Sequence, residues 1–127
     1  MSAVIDTRGR DFEATLASAR QPVLVDFSAS WCGPCQAMAP ALESFAEHRQ
    51  KDVTVIRLDI DEAPNIAARF AIRSVPTMAL FHHDKLLARR SGLMSEAQLT
   101  EFVDQHAPRR ARNVSQDPTR PQIDLEW

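Results

Sequence analysis

Apolar residues recur along the chain with two different spacings, and the alternation between those spacings outlines the fold. QPVLVDF, Gln21 to Phe27, is an almost unbroken apolar and β-branched run, the pattern of a strand covered on both faces of a parallel sheet. The spacing then changes. Met38, Leu42 and Phe45 recur at i, i+4 and i+7, while Gln36, Glu43 and Glu47 share the opposite face. This amphipathicity predicts a helix from about Cys32 to His48. Pro40 falls inside it, removes one backbone hydrogen bond and is expected to introduce a kink.

The same rhythm then repeats. DVTVIRLDI, Asp52 to Ile60, predicts a second strand, and Pro64 opens a short helix that buries Ile66, Ala67 and Phe70. In PTMALFHHDKLLARR, two apolar runs, Thr77 to Phe81 and Lys85 to Arg89, flank His82, His83 and Asp84, which reads as an antiparallel hairpin. That turn has no glycine, so Asp84 or a histidine must take any positive φ. Ser95 followed by Gln98 has the form of a capping box and starts a last helix that buries Leu99, Phe102 and Val103. An opening strand near Ala3 to Ile5 and a helix near Asp11 to Ala19, with Phe12 and Leu16 inward, complete an α/β set in the order βαβαβαββα.

Pro108 ends the last helix, so residues 1–108 are read as one domain and residues 109–127 as a C-terminal tail, extended or partly disordered. The tail carries four arginines and two further prolines, then closes on Ile123, Leu125 and Trp127. Their alternation predicts an apolar face laid on the domain or on a partner, with Trp127 at least partly buried.

Composition narrows the function classes. A chain of 127 residues, 44% hydrophobic and 25% charged, suits one globular domain with its own core. Its formal charge of -2 provides no basic field for nucleic acid or an anionic membrane surface. Asp6, Arg8, Arg10 and Asp11 interrupt the start before any apolar signal region can form, and no apolar run approaches a membrane span. A cytoplasmic monomer is expected.

SASWCGPCQAMAP, Ser28 to Pro40, holds both cysteines of the chain, Cys32 and Cys35. Zinc needs about four ligands, and beyond the pair only His48, His82, His83 and His106 remain, with no second C-x-x-C and no H-x-x-x-H. An inert core pair is the other bland alternative, and the surrounding Trp, Gly and Pro make a surface turn rather than a core run. A redox pair fits best. At i and i+3 on the first helical turn the two sulfurs are close enough to bond, and Cys32 meets the unpaired N–H groups and positive dipole end that favour a thiolate. Asp26 is the second anomaly: a carboxylate in the most apolar strand must raise its pKa or find a cation. Arg57 can be that cation if the two strands are neighbours. The alternatives for Asp26 are a satisfied polar residue at a strand end or a role in proton transfer.

VDFSASWCGPCQAMAP, the VIRLDID strand, IRSVPT and SGLMSEAQLTEF together resemble the thioredoxin family, in its order of motifs, over about residues 3–107. The resemblance implies a mixed central sheet flanked by helices. It implies Cys32 as the attacking thiol, Cys35 as the resolving thiol, Asp26 as a buried acid/base and Pro76 as a cis proline beside the disulfide. Trp31, Gly33, Pro34, Val75, Pro76 and Gly92 would form an apolar lip that receives substrate. Several positions depart from the usual pattern. Ser28 stands where an aromatic is common, Gln36 and Arg57 where lysine is common, and Ser74 and Asp84 where glycine is frequent. An arginine keeps its charge in any environment, so Arg57 is expected to favour the Asp26 carboxylate more persistently than lysine would.

The reading is a dithiol-disulfide oxidoreductase that reduces protein disulfides, needs no metal or bound organic cofactor, and is recycled by a thioredoxin-reductase-like partner. The rival is a non-catalytic chaperone or interaction module that keeps the fold and acts by binding a dedicated partner.

Overall fold

The computed structural model describes residues 3–108. The tail and the expected burial of Trp127 lie outside them. The elements run β1 (Val4–Thr7), α1 (Gly9–Ser18), β2 (Val23–Ser28), α2 (Gly33–His48), β3 (Thr54–Asp59), α3 (Pro64–Arg69), β4 (Thr77–His82), β5 (Lys85–Ser91) and α4 (Glu96–His106). This is the expected βαβαβαββα order, with ends displaced by a residue or two. The opening strand reaches Thr7 rather than Ile5, and the first helix begins at Gly9 rather than Asp11.

Together β1 to β5 make one sheet in the order β1-β3-β2-β4-β5. β3 lies parallel to both β1 and β2, whereas β4 is antiparallel to β2 and β5 to β4, so the sheet is mixed. Every residue of β2 is buried, as its unbroken apolar run requires. Alternation along the strands divides the core in two. Leu24, Val55, Met78 and Leu80 pack with Met38, Leu42 and Phe45 of α2 and Leu99, Phe102 and Val103 of α4. Val23, Val25, Phe27, Ile56, Leu58 and Phe81 pack on the other face with Phe12 and Leu16 of α1 and Ile66 of α3. Phe70 caps α3 and is only partly buried, its ring set edge-on to Phe12 and Phe81.

The local signals are realised. Ser95 Oγ accepts the Gln98 N–H and the Gln98 side chain accepts the Ser95 N–H, closing the capping box. In the hairpin turn the positive φ falls on His83, at 58°. The hairpin also carries a register shift between Leu80 and Phe81, which the sequence did not announce. α2 runs on through Pro40.

Candidate active site

β2 delivers the chain to the start of α2, and that junction builds the site. Cys32 is the N-cap of α2, with extended backbone, and Pro34 takes an early position where a missing N–H costs nothing. The Cys35 N–H donates to Cys32 Sγ at 3.1 Å. Cys32 and Cys35 are joined as a disulfide with Cα atoms 5.3 Å apart. In the reduced protein the same N–H would stabilise a Cys32 thiolate over the thiol. Helix position alone would make Cys32 the exposed sulfur. The structure corrects that: Cys32 is 3% exposed and Cys35 9%. What separates them is their surroundings, since Cys32 Sγ lies 3.7 Å from the Val75 carbonyl oxygen while Cys35 lines a cleft that neither Cys32 nor Val75 lines.

Of the residues expected to form the lip, Trp31, Gly33, Pro34 and Gly92 are exposed, Val75 is half-buried against the cysteines and Pro76 is buried. The Val75–Pro76 peptide is cis. Gly92 donates its N–H to the Pro76 carbonyl at 2.9 Å and has φ of 102°, a conformation only glycine adopts comfortably. The Trp31 indole N–H donates to Asp61 Oδ2 at 2.8 Å, which holds the ring in place although two-thirds of it is exposed. Gln36 braces the loop before the motif by donating to the Ser30 carbonyl. Two contributors escaped sequence reading. Ile60 packs against the cysteines and Asp61 anchors Trp31.

Asp26 is 3% exposed. Register places it opposite Arg57 on β3, whose Nε is 3.5 Å from Asp26 Oδ2. The expected pairing is therefore present, and Arg57 favours the carboxylate, but burial acts the other way. Burial outweighs the guanidinium and pushes the Asp26 carboxyl from an ordinary 3.8 up to about 6. Arg57 opposes that shift, and its guanidinium also meets Asp6 Oδ1 at 3.3 Å and Glu43 Oε2 at 3.8 Å. Asp26 Oδ1 has no hydrogen-bond donor among the described residues. Asp26, Arg57, Glu43 and Cys35 all line one open cleft of about 770 Å³, so the buried carboxyl has a polar route outward beside the second cysteine.

A cysteine pair at a helix start, with a titratable carboxyl behind it, is chemistry that known proteins share. Residues 3–105 match the Thioredoxin family model. The chain belongs to the thioredoxin family. It is 43% identical over 102 residues to a thioredoxin of Acidithiobacillus ferridurans, covering 80% of this chain and 94% of that protein. With a thioredoxin of Mycobacterium tuberculosis it shares 39% identity over 107 residues, covering 84% and 92% of the two chains. Among solved structures it is similar to chloroplastic thioredoxin z, with a TM-score of 0.73 and 34% identity over 80% of this chain and 92% of that one. The thioredoxin fold expected from the motifs is thus present, and the protein is a thiol-disulfide oxidoreductase, a protein-disulfide reductase of the thioredoxin type. No described helix is long and apolar enough to cross a membrane.

Proposed function

We propose that reduction proceeds through Cys32 as nucleophile, Cys35 as resolving thiol and Asp26 as proton acceptor. The Cys32 thiolate attacks one sulfur of a substrate disulfide; that S–S bond breaks, its far sulfur leaves as a thiolate and takes a proton from water. Cys35 then gives its proton to the Asp26 carboxylate and attacks Cys32 Sγ of the mixed disulfide, expelling the substrate's second sulfur as a thiolate. Two electrons have passed to the substrate, and the Cys32–Cys35 disulfide remains. A thioredoxin-reductase-like partner supplies two electrons that reduce this disulfide back to the dithiol, and no metal or organic cofactor of this chain enters the cycle. Trp31, Gly33, Pro34, Val75, Pro76 and Gly92 form the surface that receives the substrate chain. The protein works in the cytoplasm as a monomer.

The observation that carries this division of labour is the asymmetry of the two sulfurs: Cys32 lies against the Val75 carbonyl, and Cys35 lies on the cleft that holds Asp26. The test is trapping. Cys35→Ser should accumulate mixed disulfides through Cys32, and Cys32→Ser should abolish turnover of a generic protein disulfide. Traps that form through Cys35 in Cys32→Ser at the wild-type rate would overturn the roles. No turnover by the wild-type dithiol, with no partner trapped by Cys35→Ser, would favour the non-catalytic binding module.

A further inference from the structure

β1, β3 and β2 carry Asp6, Arg57 and Asp26 at one register level: Asp6 pairs with Arg57 in the first ladder and Asp26 with Arg57 in the second. Alternation puts all three side chains on the sheet face covered by α2, from which Glu43 approaches. One guanidinium is thus divided among three carboxylates, and its shorter contact is with the edge-strand Asp6, at 3.3 Å, rather than with Asp26, at 3.5 Å. We propose that Asp6 is a positioning residue of the redox site: by drawing Arg57 toward the sheet edge it keeps Asp26 a stronger proton acceptor than undivided pairing with Arg57 would allow. This rests on the reading of Asp26 as the proton acceptor for Cys35.

The electrostatic sign is the same by both routes. Asp6 competes for the cation that stabilises the Asp26 carboxylate, and its own negative charge disfavours a second one nearby. The other charged groups on the shared cleft are Arg8, Glu43, Asp59 and Glu62. On the opposite flank of Asp26, β4 presents the neutral Met78. Replacing Asp6 with Asn removes one carboxylate and leaves the rest in place. The effect is bounded by exposure, because the Asp6 side chain is 81% exposed and its field is screened by water and salt.

The experiment follows the Asp26 carboxyl carbon by NMR through a pH titration of the oxidised full-length protein, alongside the pH profile of mixed-disulfide resolution. In Asp6→Asn at low ionic strength, both midpoints should fall by about half a pH unit. At 1 M salt that difference should shrink, and Asp6→Glu should restore the wild-type midpoints. An unchanged or raised Asp26 midpoint in Asp6→Asn overturns the proposal. Asp26→Asn separates the two readings: if resolution in that variant keeps the wild-type rate and pH profile, Asp26 is not the proton acceptor, whatever Asp6 does to its titration.

Discussion

Asp26→Asn removes a charge that the fold holds at a cost, and the cost can be worked from its surroundings. Asp26 is buried, Arg57 is shared, and the carboxyl is displaced from 3.8 to about 6. Because the folded pKa is the higher one, the native state binds more protons than the unfolded chain between those values. Asp26 therefore supports stability fully below pH 3.8, and that support is lost as pH rises to about 6. At 1.36 kcal/mol per unit, the full loss is about 3 kcal/mol. Asparagine has nearly the same shape and no such titration. The stability advantage of Asp26→Asn over wild type should thus grow by about 2 kcal/mol between pH 4 and pH 7.5. In urea, with a slope of about 2 kcal/mol/M, the midpoint difference should widen by about 1 M. Paired urea titrations of the oxidised proteins at the two pH values measure it, and groups common to both proteins cancel in the comparison. A variant less stable than wild type at pH 7.5, or a difference independent of pH, would refute the argument and make Asp26 a net structural partner of Arg57.

Gly92→Ala meets no neighbouring atom within 4 Å but must hold φ near 102°, so it should cost about 1 to 3 kcal/mol in denaturant melts and raise the KM for protein disulfides. Ser95→Ala opens the capping box at the start of α4 and should cost about 1 kcal/mol, with turnover unchanged. Deleting residues 109–127 should leave reduction of a generic protein disulfide nearly intact, because the family match ends at residue 105; loss of that activity would make the tail part of the catalytic unit.

Much of the molecule was legible in the sequence because the deciding physics is local. Apolar spacing located each helix and strand, Ser95 and Gln98 marked a cap that two neighbouring backbone groups complete, and the glycine-free turn required the positive φ that His83 adopts. The cysteine spacing and the helix start beneath it announced the redox chemistry for the same reason, since both lie within one helical turn. Tertiary structure decided what depends on distant segments meeting. Strand order places β3 between β1 and β2, and only that order brings Asp6, 51 residues from Arg57 in the chain, to the cation that Asp26 also uses. The net direction of the Asp26 shift was not legible, because a sequence shows one candidate partner but neither the competing carboxylates nor the depth of burial. The cis Val75–Pro76 bond likewise has no local signature, since most X-Pro bonds are trans and the surrounding fold selects the exception. Periodicity and spacing thus specify elements and reactive groups, whereas the strength of each group's charge interactions is set by non-local packing, through burial and through how many neighbours share one counter-charge.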